Sequence, residues 1–151
     1  MLVSWIFAAL HLLALGIGLG AIWWRSRALR DVLNIGDLKR VFFADNLWGL
    51  AALLWISTGL VRAFGGLEKG TAYYLASNAF LLKMGLLALV LLIEIWPAST
   101  FVRWRIKIAR GQDIGLDARL TNRFANFSLI QAALVVAMIF TATAMARGLG
   151  F

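Results

Sequence analysis

Residues 2–24 read LVSWIFAALHLLALGIGLGAIWW, 23 residues without a formal charge. A helix needs about 20 apolar residues to cross the hydrocarbon core of a bilayer. The backbone finds no water there, so such a segment should be helical and satisfy its own N–H and C=O groups. Its one ionisable side chain, His11, is the only histidine in the chain. The run lacks a basic leader and is too long for the core of a signal peptide, so it reads as a retained span.

Three further apolar runs follow, at residues 44–64, 73–96 and 124–146. Asn34-Ile35-Gly36 reads as a helix stop and Asp37 as the N-cap of the second helix. Gly65-Gly66 ends that helix. A short loop with Glu68 and Lys69 leads to Thr71, a capping residue, and Pro97 breaks the third span. Asp117 is placed to cap the last helix, which ends at Arg147-Gly148. Residues 101–110, FVRWRIKIAR, put Phe101, Trp104 and Ile108 on one helical side and Arg103, Lys107 and Arg110 on the other. That pattern suits a short helix lying in the cytoplasmic interface. The expected fold is a single all-α domain over residues 1–151, an integral membrane four-helix bundle.

Composition agrees. Apolar residues make up 62% of the 151 and charged residues 15%, against about half and a quarter in soluble domains. The absence of cysteine excludes a disulfide framework, a thiolate metal site and a cysteine nucleophile. Topology and anionic lipid account for the net charge of +8 without nucleic acid. Eleven Lys and Arg residues flank the first and third inter-span loops, between Arg25 and Arg40 and between Arg103 and Arg123. Only Arg62, Lys69 and Arg147 fall on the other side. The positive-inside rule then places both termini outside, in a multi-pass membrane protein. Trp23, Trp24, Trp48, Trp96 and Trp104 fall at the inner boundary; Trp5, Tyr73 and Tyr74 fall at the outer one.

With that topology, depth can be compared across spans at 1.5 Å per residue. His11, Trp55, Lys83 and Met138 come out in one slab of the outer half, roughly 12 Å deep. Ser4, Ala8, His11, Leu15 and Gly18 share a side of the first span, and Gly16-x-x-x-Gly20 offers a close-approach face beside it. Asp45, Trp48, Ala52, Trp55, Gly59 and Arg62 form a stripe on the second, and Lys83, Leu87, Val90 and Glu94 on the third. Gln131, Met138 and Met145 recur every seven residues on the fourth. A lysine at the helix centre costs about 2.5–3.5 kcal/mol on insertion scales. Lys83 should therefore face the interior and meet an anion, from a bound ligand or a partner subunit, or lose its proton. His11 is a candidate haem or metal ligand or proton carrier, weighed against a histidine simply bonded across helices. Met138 is a candidate axial ligand and otherwise core filler, and Trp55 a stacking surface or a space filler. Asp45 and Glu94 should pair with basic side chains near the inner rim. Arg62 should reach outward to the interface. Asn126 and Gln131 should bond between helices.

The whole chain resembles an uncharacterised bacterial family of predicted four-helix membrane proteins, a domain of unknown function. More distantly, the layout is similar to the membrane protoporphyrinogen oxidases of the HemJ type. Those proteins have a histidine early in the first span, basic residues after it, and a lysine in the third span. The matching pieces here are His11, Arg25 and Arg27, and Lys83 in LLKMGLLALV. The bacterial families it resembles imply a bacterial cytoplasmic (inner) membrane. The inward slab of His11, Lys83, Trp55 and Met138 should hold a ligand, a haem b or porphyrin, with redox chemistry to match. The alternative is a non-catalytic small subunit or assembly factor, as a homodimer or bound to a larger membrane complex.

Overall fold

The computed structural model describes residues 1–66 and 71–147; the expected loop at Glu68 and Lys69 and the stop at Gly148 lie outside them. The helices are α1 (Leu2–Arg30), α2 (Leu38–Phe64), α3 (Thr71–Leu75), α4 (Asn78–Ala109) and α5 (Ala118–Ala146), with a 3-10 turn at Ile35–Asp37. Four of them are long and apolar enough to cross a membrane. The chain is a four-helix membrane bundle. Leu53, Leu92 and Phe140 are among many large apolar side chains on its outer surface, where lipid is the solvent.

Local signals set the helix ends. Asn34 caps the 3-10 turn by accepting from Gly36 N at 2.8 Å. Asp37 occupies the N-cap of α2 as expected, but its carboxylate reaches back to Leu33 N and Asn34 N at 3.0 and 3.1 Å. Asp117 caps α5 through Arg119 N at 2.8 Å.

Two expectations need correction. The third span does not run unbroken from Tyr73. Residues 71–75 form the separate α3, and Ser77 caps a new helix by accepting from Phe80 N at 3.3 Å. The interfacial helix expected at 101–110 is absent as a separate element: α4 continues through Pro97 to Ala109. Proline removes one backbone donor, a loss that packed membrane helices tolerate. Here Pro97 is itself buried, and the face beyond it packs inward. Phe101 and Trp104 lie against Phe124, with ring centroids 5.6 and 6.3 Å apart, in a cluster with Leu38 and Val41. The apolar side of this segment thus belongs to the core, not to a lipid surface. α4 ends in a hydrogen-bonded turn in which Gln112 N reaches Lys107 O, and Gly111 supplies the left-handed residue with φ 66°. Trp48 and Trp104 are core residues for the same reason, at 4% and 5% exposure, and leave the inner aromatic belt to Trp23, Trp24 and Trp96.

Around the bundle, α1 packs against α2 and α5, and α5 against α4. Gly18 lets α1 approach α2 closely: a Cβ there would lie 3.2 Å from the Trp48 ring and 3.5 Å from Ala51. Gly16 and Gly20, the expected close-approach pair, instead face outward with open space around them. The fourth seam differs. α2 and α4 scarcely meet through their backbones and are joined by side chains at the two ends. At the end that carries the basic loops, Arg105 of α4 donates to Asn46, Asp45 and the Phe42 carbonyl of α2, at 2.7, 3.0 and 3.2 Å. At the end that carries the termini, Phe64 of α2 meets Phe80 of α4 edge to face, 6.1 Å between centroids.

Candidate functional site

Two polar regions sit inside the bundle, one toward each end. The deeper-buried one is organised by Arg25 of α1, which is 0% exposed. Its guanidinium has five N–H donors, and each has an acceptor. Nε donates to Ser128 Oγ at 3.0 Å. One terminal nitrogen donates to Asp45 at 3.0 Å and Glu94 at 2.6 Å. The other donates to Glu94 and Gln131, both at 2.8 Å. Gln131 in turn donates to the Glu94 carboxylate and the Val90 carbonyl, at 2.7 and 3.1 Å. Asp45 also takes Arg105 at 3.0 Å. Two cations thus face two carboxylates, drawn from α1, α2 and α4, with α5 supplying neutral partners. The expected pairing of Asp45 and Glu94 with basic residues is present, and so are interhelical bonds from Gln131 and from Asn126, which accepts from Arg30 at 2.7 Å. What sequence reading missed was the centre of the network. Arg25 counted as a basic residue flanking the first span, although it lies seven residues beyond Gly18 and fourteen beyond His11, on their side of α1.

The second region is a cavity of about 420 Å³ near the termini. His11, Trp55, Lys83 and Met138, from four different helices, all line it. That volume falls within the roughly 300–1,000 Å³ typical of small-molecule sites. Its remaining wall is mainly apolar, with Leu15, Phe80 and Met84 among the contributors. Two residues read as lying at the outer rim also border the cavity. Arg62 does so one turn beyond Thr58 on α2. Tyr74, 5% exposed, sits in the wall beside Phe80 rather than in an outer belt.

His11 is fixed from two directions. Its Nδ1 lies 3.0 Å from Thr58 Oγ1. That hydroxyl also lies 2.7 Å from the Leu54 carbonyl and 3.1 Å from the Trp55 carbonyl. The hydroxyl has a single proton: given to one of these carbonyls, it leaves the threonine oxygen to accept from Nδ1–H, and the neutral ring in that tautomer carries its lone pair on Nε2. On the other side Gly59 makes room for the ring: a Cβ there would lie 3.0 Å from His11 Cε1. Trp55 packs 5.8 Å from the imidazole, centroid to centroid. The Trp55 indole is 5% exposed, and its Nε1 has no hydrogen-bond partner among the described residues. A buried unmet donor of this kind costs about 1–3 kcal/mol. Nothing in the sequence singled out Thr58, and Gly59 figured only as a member of the α2 stripe. Met138 is 2% exposed and Lys83 half-buried. Among the described residues no three His, Cys, Asp or Glu side chains converge on one point, so any metal at His11 would reach the protein through few donors.

Between cavity and network lies a dry layer of Ala14, Ala21, Ile22, Trp48, Val90, Ala132 and Val135. The fourteen residues from His11 to Arg25 along α1 span roughly 21 Å at 1.5 Å per residue. The polar groups at the two ends of the bundle are therefore separate sites.

Residues 3–150 match the model of a family described as a predicted membrane protein, DUF2214, and the chain belongs to that family. No curated protein matches it. No solved structure matches it either.

Proposed function

We propose that this DUF2214 member binds a flat, amphiphilic ligand within the membrane, a haem b or another porphyrin, in the cavity beside His11. The reading rests on one observation: four side chains suited to such a ligand, one from each long helix, line a single cavity. Thr58 holds the histidine as histidine ligands of metals are commonly held, by accepting from the ring nitrogen that does not bind the metal. His11 Nε2 would be the donor to iron, and the Met138 sulfur is a second candidate donor in the same cavity. Lys83 and the unmet Trp55 Nε1–H suit the carboxylates that a porphyrin carries. A bound haem would supply one-electron redox chemistry. The distant likeness to the HemJ-type oxidases rests on His11 and Lys83, which share this cavity. In this reading the protein lies in a bacterial cytoplasmic membrane with both termini, and hence the cavity, toward the outer face.

The test is the visible spectrum of the detergent-purified protein. A Soret band is expected in wild type and its loss in His11→Ala. A colourless protein that co-purifies with stoichiometric partner chains would instead support a non-catalytic subunit of a larger complex. Trp55→Phe removes the donor and keeps an aromatic surface. One hydrogen bond contributes about 0.5–1.5 kcal/mol net, so porphyrin affinity should fall roughly two- to tenfold. An unchanged dissociation constant in a fluorescence titration would show that Nε1 takes no part in binding.

A further inference from the structure

We propose that the ligand enters and leaves the cavity sideways, from the lipid phase, through a window between α2 and α4. This rests on the reading that the cavity binds a ligand, and adds where the ligand comes from: it is an amphiphile dissolved in the bilayer.

Three seams of the bundle are closed by helix packing, and the α2–α4 seam is not. Both of those helices nevertheless line the cavity, α2 through Trp55, Ile56, Gly59 and Leu60, and α4 through Phe80, Lys83, Met84 and Leu87. Direct ties flank it at both ends, and toward the middle of the bundle Trp48 and Trp55 of α2 share an apolar cluster with Val90 of α4. Below, Arg105 ties α4 to Asp45 and Asn46. Above, Phe64 and Phe80 meet edge to face, with Tyr74 against Phe80 at 5.2 Å between centroids. Between these ties the cavity's edge is mainly apolar or small, with Ile56, Gly59 and Leu60 on α2 and Met84 and Leu87 on α4, and Leu60 is 49% exposed there. A polar solute would have to leave water to arrive by this path, whereas an amphiphile already in the membrane meets an apolar threshold with basic Lys83 and Arg62 behind it. Downward, the dry layer closes the cavity off from the basic loops. The Phe64–Phe80 contact is the clasp: aromatic edge contacts are worth about 0.5–1.5 kcal/mol beyond their burial, weak enough to open on thermal fluctuation.

The chain has no cysteine, so the clasp can be locked without background labelling. Phe64→Cys/Phe80→Cys protein in vesicles of neutral and anionic phosphatidyl lipids is joined by a short bis-methanethiosulfonate linker and offered membrane-dissolved protoporphyrin IX. Relative to the same double variant kept reduced, uptake and release should both slow at least tenfold, with the dissociation constant of the linked form within about twofold of the reduced form and full recovery on cleavage of the linker. Ile56→Trp, which narrows the window without any cross-link, should slow both rates as well. Equal rates in linked and reduced protein would overturn the route and leave the ligand reading standing. Slowing accompanied by an equal loss of affinity would also overturn it, because the two phenylalanines would then be contact residues and not a clasp. A wild-type protein that takes up no porphyrin would remove the ligand reading, and the route with it.

Discussion

Arg25→Leu should cost about 3–5 kcal/mol of stability, the usual penalty for removing one partner of a buried ion pair. The substitution leaves Glu94 without its bidentate cation, and leaves Asp45 to Arg105 alone. It also leaves the Ser128 hydroxyl and the Gln131 carbonyl without a donor in an apolar interior. Unfolding in mixed micelles with increasing dodecyl sulfate gives the measurement. A loss below about 1 kcal/mol would mean that water reaches the network and screens it. Two companion variants separate charge from geometry. Arg25→Lys keeps the charge but has three donors where five are used; it should recover only part of the loss. Arg25→Leu/Glu94→Leu removes one charge of each sign and should cost clearly less than the two single changes added together. Helices have little hydrophobic reason to associate within lipid, and bonds like these help hold them together.

Gly18→Leu should be the next most damaging change, at about 1–3 kcal/mol, the range for overpacking a filled site. Even the first added carbon would lie 3.2 Å from Trp48 Cζ3 and 3.4 Å from Cε3, before the rest of the side chain is placed. Trp48 is 4% exposed and cannot swing away without opening the core beside Ile22. The same unfolding titration reads the loss, and Gly16→Leu is the control. Gly16 has open space around it, so that variant should stay within about 0.5 kcal/mol of wild type, as surface changes usually do. If the two variants were equally stable, α1 and α2 would not be held at the separation Gly18 sets.

The spans were legible because the bilayer fixes both their length and their polarity, and a run such as residues 2–24 has few other readings. The slab was legible for a related reason. Once topology is set, depth follows from residue counting, and that alone brought His11, Trp55, Lys83 and Met138 to one height. Whether they shared an interior was a question of helix rotation, which depth does not address. The misses have specific causes. Pro97 and the basic residues after it resemble a membrane exit, and only the partners of Phe101 and Trp104 reveal that the helix continues into the core. Arg25 follows Trp23-Trp24 and so counted as a flanking charge, although heptad spacing from His11 through Gly18 leads to it. Thr58 carries no signal by itself: a threonine in a span usually bonds its own preceding turn, as this one does, and the second bond to His11 depends on another helix.

The dry layer between cavity and network bears on voltage. A field falls mostly across the region of lowest polarisability, here the apolar stretch around Ile22, Trp48 and Val90. One elementary charge carried through the full drop involves about 2.3 kcal/mol per 100 mV. A charge reaching His11 from the face nearest the termini, roughly 12 Å in at 1.5 Å per residue, would cross less than half of a core about 30 Å thick and would stay out of that stretch. Charge exchange confined to that face would feel only part of the membrane potential.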